Sequence, residues 1–419
     1  MKKFLAACIG LVVSAVGSQV FALGGTWEAR NPMPTARYHV RAGVVNSILY
    51  VMGGCCALRT VEAYDPVTNT WTTKAPMLTA RMDPAVGVVN GIMYVAGGSF
   101  GCCDALANVE AYHPLTDTWT RKARMPTARR DPAAGVVNGI IYVVGGFNGA
   151  ALNTVEAYDP VTDTWTRKTP MPTARADPTV DVVNGILYAV GGWIDLCGCT
   201  PGLDTVEAYD PVTDTWTTKT PIPTPRFHHA SGVVDGIIYV VGGWSGTAPL
   251  DTVEAYDPVT NSWSEEDPMP TARRSLAAGV VDGILYAVGG FTGSTVLAIN
   301  EAFIPIHNVA IDIKPGSDSN PINPRSKGKI PVAILTTDTF DATAVEPTTV
   351  RFGPNGTEAA PVRSALEDVD GDGDTDMILH FKTQDTGIVC GDTSASLTGE
   401  TFGGQAIEGS DSIKTVGCK

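Results

Sequence analysis

The sequence predicts an all-β protein built mainly from six copies of one four-stranded unit. Three observations carry this reading. Tryptophan recurs at Trp27, Trp71, Trp119, Trp165, Trp216 and Trp263. A double glycine begins at Gly53, Gly97, Gly145, Gly191, Gly242 and Gly289, with the same steps of 44 to 51 residues. Finally, 45 glycines and 29 prolines in 419 residues demand frequent turns. A period of that length marks repeated supersecondary units that stack on one another.

Each unit reads as four strands. In the third copy, residues 133–137 and 140–144 are β-rich runs joined by Asn138-Gly139, a pair that tolerates the positive φ of a tight hairpin. The turn recurs at Asn90-Gly91, Asn184-Gly185, Asp235-Gly236 and Asp282-Gly283, with Asn46-Ser47 as the exception. A Val-Glu-Ala-Tyr run supplies the third strand, and the tryptophan centres the fourth. Tyr64, Tyr112, Tyr158, Tyr209 and Tyr256 each precede the next tryptophan by seven residues, so the length variation falls between the double glycine and the tyrosine. A sheet this small cannot bury both its faces, so neighbouring units must stack.

Composition narrows the function. Hydrophobic residues reach 44% and charged residues only 17%, which suits a packed core and excludes intrinsic disorder. The net charge of −15 excludes nucleic acid as a natural partner, because such binding rests on neutralising phosphates. Residues 1–22 read as a secretory signal: Lys2 and Lys3, an apolar stretch from Phe4 to Val16, then Val20-Phe21-Ala22 for cleavage. Beyond it no apolar run reaches the length of an integral membrane span. The expected location is secreted or periplasmic. Eight cysteines then remain in an oxidising compartment: Cys55, Cys56, Cys102, Cys103, Cys197, Cys199, Cys390 and Cys418. Disulfides are expected, with a zinc site as the alternative for the first six.

The double glycine after each Ile-Leu-Tyr-Val-type strand, the downstream tyrosine and the spaced tryptophan resemble kelch repeats. That resemblance covers roughly residues 25–305 and implies a six-bladed kelch-type β-propeller. Phe303 replaces tyrosine in the last copy and no tryptophan follows it, while Trp27 precedes the first complete copy. The strand around Trp27 is therefore expected to complete the last blade and close the ring. The predicted divisions are 1–22 signal peptide, 23–305 propeller and 306–419 a small β-sandwich-like domain, the whole being a monomer.

Loops between strands two and three, and between strands four and one, emerge on one face, where recognition would be varied. Three sets of candidates collect there. Arg37, Arg81, Arg129, Arg175, Arg226 and Arg273 form a repeated ring able to hold carboxylate or phosphate. The competing reading, which their presence in every copy favours, is that each pairs with the recurrent Glu62, Glu110, Glu156, Glu207, Glu254 or Glu301. His39, Asp83, Asp131, Asp177, His228 and Ser275 follow two residues later, as a cation or acid–base cluster or as plain turn chemistry. Asp181 stands where the other copies carry Gly43, Gly87, Gly135, Gly232 and Gly279, which makes it the best single candidate for a functional acid. Phe147, Trp193, Trp244 and Phe291 follow the double glycines as aromatics that either stack on a ligand or pack the loops together.

From residue 306 the repeat stops, and short β-rich runs between Gly, Pro and Ser turns read as a sandwich. Alternating carboxylates from Asp368 to Asp376 fit an oxygen-liganded calcium loop, with a solvated acidic turn as the alternative. The run resembles the calcium loops of integrin propellers. That resemblance implies side-chain ligands from Asp368, Asp370, Asp372 and Asp376 and a carbonyl from Asp374. Cys390 and Cys418 are expected to staple the end of this module, which also resembles C-terminal domains of exported bacterial proteins.

Three functions fit. The preferred one is a secreted, non-catalytic binding protein that recognises a protein or glycan through its loop face, with calcium rigidifying the tail. The alternative is an enzyme. Exported six-bladed kelch proteins include sialic acid mutarotases, which the chain resembles in architecture; Asp181, Arg175 and His228 would then be acid, anion clamp and base. Copper radical oxidases use the same fold, but Tyr38, His39, His228 and His229 supply only fragments of their ligand set. A purely structural envelope role is the third. The chain holds no nucleophile–base motif or phosphate loop.

Overall fold

The computed structural model describes residues 24–101, 104–194, 201–317, 319–337 and 340–418. The repeats form six four-stranded antiparallel sheets, five of them running in simple chain order. In the third, the strands are Ala133–Val137, Ile140–Val144, Val155–Asp159 and Thr164–Lys168. Their hairpin turns on Asn138 and Gly139, at φ 50° and 76°, the left-handed pair that an Asn-Gly turn supplies. Ser47 adopts φ 58° in the exceptional first copy, where the later copies use glycine.

The sixth sheet contains Ala277–Val281, Ile284–Val288 and Asn300–Pro305, and its outer strand is Gly25–Arg30 from the start of the described chain. Trp27 lies opposite Phe303, with ring centroids 5.1 Å apart. The first and last sheets also share a core, where Val40, Leu49 and Val51 pack with Ala277, Val281 and Tyr286. Similar apolar clusters join each of the other adjacent pairs, so every sheet buries its faces against its neighbours.

Two repeated contacts tie the sheets together. Each tryptophan indole donates to a carbonyl in the preceding sheet's trailing segment, as Trp165 Nε1 does to Ala123 O at 3.0 Å. The adjacent tyrosine hydroxyl donates to a turn carboxylate or amide five residues on, as Tyr158 does to Asp163. Asp163 Oδ1 in turn accepts Ala123 N, which fixes the two sheets in register. Phe303 has no hydroxyl to play this part; the sixth sheet keeps only the tryptophan contact, Trp27 Nε1 to Asp267 O at 2.9 Å.

The double glycine has a specific cause. Gly289 sits at φ 66°, and a Cβ there would lie 2.6 Å from Arg37 O in the first sheet. Gly290 N donates to that same carbonyl at 2.8 Å, a second link between the chain's two ends. A side chain would break both the conformation and the contact.

The tail forms two four-stranded sheets. One contains Ile311–Ile313, Lys329–Ile334, Asp376–Lys382 and Arg363–Glu367; the other contains His307–Asn308, Ala406–Ser412, Ser394–Glu400 and Arg351–Gly353. Their shared core holds Ile313, Val332, Leu379, Phe381, Phe352 and Leu397. Cys390 and Cys418 are joined by a disulfide. Cys102, Cys103, Cys197, Cys199 and the leader lie outside the described residues. Cys55 and Cys56 are free, with their Sγ atoms 3.8 Å apart.

Candidate functional site

The first strand of each sheet begins at the axis, on a residue in the left-handed region. His39, Asp83, Asp131, Asp177, His228 and Ser275 have φ between 42° and 56°. Asp and His tolerate that conformation better than most residues, which explains much of the composition at this position. Backbone bonds link several of these residues across sheets, including His39 N to Ser275 O at 2.9 Å and Asp177 N to Asp131 O at 2.8 Å.

Their side chains pair with one another. His39 Nδ1 lies 2.5 Å from Asp83, and His228 Nδ1 lies 2.7 Å from Asp177. Arg41 bridges the two acids, at 2.7 Å from Asp83 and 2.6 Å from Asp177. Burial disfavours the charged form of each group, but the opposing charges prevail: Asp83 and Asp177 are held below the usual carboxylate range, and His39 and Arg41 are raised. Asp131 is the exception, pushed up to about 7 by burial and then by the neighbouring charges of Asp83 and Asp177. The result is a nearly self-neutralised network across the axis, and the described axial residues gather no group of three ligand atoms as a metal would need.

The six repeat arginines do not form a ligand ring. Arg37, Arg81, Arg129, Arg175, Arg226 and Arg273 are all buried, at 1% exposure or less. Each pairs with its own sheet's glutamate: Arg37 meets Glu62 at 2.7 Å, Arg81 meets Glu110 at 2.9 Å, and Arg129, Arg175, Arg226 and Arg273 meet Glu156, Glu207, Glu254 and Glu301. Arg129 Nη1 also donates to Gly145 O and Thr154 O, both at 3.0 Å. The guanidinium therefore holds its loop onto the sheet, and nothing of it faces solvent. Arg175, the expected anion clamp, is engaged in the same way.

The loop aromatics are likewise mostly internal. Phe147 and Trp193 are 5% and 7% exposed and lie 5.3 Å apart, packed with Phe227 and Ala176. Trp244 and Phe291 are partly exposed. Arg130 sits over Phe147 at 4.6 Å and Arg274 over Trp244 at 4.4 Å. These cation–π contacts cover the rings that a ligand would need, so they pack the loops together.

Asp181 does occupy a special place. Glycine at the equivalent positions packs against the next sheet: a Cβ on Gly135 would lie 2.9 Å from Val182 and Leu187. Asp181 instead meets Ser231, whose Oγ donates to its Oδ2 at 2.5 Å. The carboxyl keeps a little accessible surface through the axial cavity but is enclosed by protein, and burial pushes it up to about 6 against the Ser231 bond. The cavity measures about 130 Å³ and is lined there by Arg41, Thr179, Asp181, His229 and Ser231. His228 is engaged with Asp177 rather than with Asp181.

Two axial residues escaped the sequence reading. Arg41 was signalled by its place, since Ala85, Ala133, Thr179, Ala230 and Ala277 occupy the equivalent position. Ser231, the partner of Asp181, stands where the other copies carry only Ala42, Val86, Ala134, Val180 and Ala278.

In the tail, carboxylate oxygens of Asp368, Asp370 and Asp376 come within 4.8 Å of one another. Asp372 and Asp374 lie outside that group. Asp376 is buried and accepts Thr336 N at 2.7 Å and Val369 N at 2.9 Å, anchoring the loop to the sheet. Asp370 is raised above the usual carboxylate value: a bond from the Asp372 backbone opposes the shift, and burial and the charges of Asp372 and Asp376 outweigh it.

Two family models match the repeats. The KLHDC2/KLHL20/DRC7 Kelch-repeats domain matches residues 25–192, and the Kelch motif matches 174–223, 225–270 and 272–309. Residues 25–309 are a kelch-repeat β-propeller. A solved structure titled "Structure of YjhT" is similar to the propeller at 16% identity, with a TM-score of 0.57 over 66% of this chain and 97% of that one. That likeness concerns the fold alone. No curated protein matches the chain. Each four-stranded sheet of the repeats is thus a kelch blade, and the varied loops rise from the same end as the axial network. Among the described residues, the most exposed large apolar side chains there are Phe100 at 60% and Ile194 at 45%, in the loops of the second and fourth blades. No described helix is long and apolar enough to cross a membrane.

Proposed function

We propose that this chain is an exported, non-catalytic binding protein. Its six blades form a ring closed by the N-terminal strand, and the loop face recognises a protein partner. One observation carries the reading: the charged residues at the channel mouth are satisfied by each other, while Phe100 and Ile194 project from the loops beside it. Exposed apolar residues rimmed by polar loops are the usual mark of a protein interaction site. Kelch propellers commonly mediate such interactions, which supports the same choice.

The sugar-acid mutarotase reading has less support. Arg175 is buried against Glu207, and an axial cavity of about 130 Å³ falls below the roughly 300–1,000 Å³ of ordinary small-molecule pockets.

Calcium in the tail belongs to the same proposal. Asp368, Asp370 and Asp376 offer the hard oxygen set that Ca²⁺ prefers, and their mutual repulsion is what a divalent cation would relieve. Bound there, it would pin the loop from Asp368 to Asp376 against the strand that begins at Asp376.

The test is an array of extracellular proteins and glycans probed with the mature protein and with a Phe100→Ser/Ile194→Ser variant. Protein binding lost in the variant supports the reading. Catalysed anomerisation of a sugar acid, followed by proton NMR and abolished by Asp181→Asn, would replace it with the enzyme reading.

A further inference from the structure

We propose that the loop face grips an acidic side chain of a partner protein between Arg274 and Tyr38, at the seam of the sixth and first blades. The inference rests on the reading of that face as a protein-binding surface and names the chemistry it selects.

Arg274 carries a charge that no described residue neutralises. Arg41 meets two carboxylates and a buried repeat arginine such as Arg37 meets one, but the Arg274 guanidinium makes no ion pair or hydrogen bond with any described residue. It is nevertheless held in place. Its backbone forms a two-way bridge with Phe291, at 3.1 Å and 2.9 Å, and its guanidinium lies 4.4 Å from the Trp244 ring and 5.5 Å from that of Phe291. Stacking uses the faces of a guanidinium and leaves its N–H edge for a planar carboxylate. Burial disfavours the charged form here and lowers the pKa, with Tyr38 opposing the shift. A cation that has shed water without gaining an anion is one that a carboxylate would stabilise.

Tyr38 supplies the second donor. Its ring stacks on Phe291 with centroids 5.1 Å apart, and its hydroxyl oxygen accepts the Cys55 thiol at 2.9 Å. That leaves its own O–H proton to donate elsewhere. The Cys55 bond, then burial and the two thiols, push the phenol up to about 12, with the nearby Arg274 charge opposing them. It therefore stays protonated, and a donor, at every ordinary pH. At the place of Arg274 the remaining blades carry Met82, Arg130, Ala176 and Phe227, and of these Arg130 lies 3.8 Å from Asp131.

One guanidinium and one phenol balance a single negative charge. A phosphate would bring a second, which a chain of net charge −15 disfavours. Trp244 and Phe291, both partly exposed, flank the site and suit apolar neighbours of the acid.

The test is selection of a phage-displayed random dodecapeptide library on the mature protein, followed by titration of a synthetic peptide carrying the enriched motif. That motif is expected to hold an aspartate or glutamate beside an apolar residue. Arg274→Gln should weaken binding about tenfold to a hundredfold, as the loss of a charge-assisted bond, and Tyr38→Phe about threefold to tenfold. Changing the peptide's acid to its amide should cost wild type as much and cost Arg274→Gln nothing further. Because Arg274 holds no carboxylate of its own, the variant's melting temperature should fall by no more than about 2–4 °C. Motifs without an acid, or equal binding by wild type and Arg274→Gln, would overturn the proposal. Binding lost in Phe100→Ser/Ile194→Ser would then leave the loop-face reading standing. A library that yields no binder would also overturn the proposal, and the protein array decides the wider reading separately.

Discussion

Replacing Asp181 with asparagine isolates one buried ionisation. The change keeps the shape and an acceptor for Ser231 Oγ while removing the charge. Burial holds the carboxyl at about 6 in the folded chain, above the roughly 3.9 of a free aspartate. A shift of that size corresponds to about 3 kcal/mol at 1.36 kcal/mol per pKa unit. The sign follows from which state binds the proton more tightly. The folded state does, so this contribution is fully present below about pH 4 and is lost as pH rises through 6. Denaturant unfolding of wild type and Asp181→Asn at pH 4, 5, 6, 7 and 8 reads the difference directly. Relative to the variant, wild type should weaken by about 2.5 kcal/mol between pH 4 and 8, with the steepest change near pH 5, midway between the unfolded and folded values, and little further change above pH 7. Parallel curves across that range would refute the argument, because they would mean that the channel leaves this carboxylate as well hydrated as it is in the unfolded chain.

Three other perturbations test the remaining assignments. Arg175→Ala should destabilise the propeller by about 3–5 kcal/mol, since it strands Glu207 in a buried site; Trp193→Ala should cost a similar amount as a lost core aromatic. In both, thermal melts should shift while the affinity of the folded fraction for a partner stays unchanged. Calcium at a hundredfold excess over its dissociation constant should raise the tail's stability by about 2.7 kcal/mol, an effect removed by EDTA and by Asp370→Asn in calorimetric scans. Reduction of Cys390–Cys418, separated by 28 residues, should cost the tail about 3–4 kcal/mol, read as an earlier unfolding transition in reductant.

What the sequence made legible was whatever repeats. The hairpin at Asn138-Gly139, the Tyr158–Trp165 pair and the double glycines are imposed by backbone geometry or by stacking, so each blade had to carry them. The pairing of Trp27 with Phe303 was readable for the same reason, as a missing element at one end matched by a surplus at the other. The site was harder to read because repetition conceals burial. An arginine in every loop is compatible with a binding ring and with pairing to its own glutamate; its presence in every copy favours the second, and Arg175 wholly enclosed against Glu207 bears that out. Nor does position along the chain reveal which aromatics are covered: Phe147 and Trp193 follow the glycines as expected, yet lie beneath Arg130. Contacts between repeat and tail, such as Asp235 with Gln405, join residues far apart in the chain and leave no periodic trace.

The departures from repetition converge on one seam. Between the fourth and fifth blades, three successive levels of the inner strands are bridged by polar pairs: Asp177 with His228, Thr179 with His229, and Asp181 with Ser231. At the lower two levels the other blades carry glycine, alanine, valine, proline or leucine, apart from Arg41, which reaches across the axis to Asp177 itself. Substituting one member of the Thr179–His229 or Asp181–Ser231 pair removes its partner's bond, so each pair has to be kept or lost together, whereas Asp177 without His228 still meets Arg41. His229, pushed down to about 3 by burial, stays neutral at every ordinary pH. Asp181 near 6 and Asp131 near 7 are therefore the groups through which mild acid could reach the axis. Because a proton on either removes a buried charge, acidification should tighten this seam rather than open it, opposite to the response of carboxylates held by ion pairs.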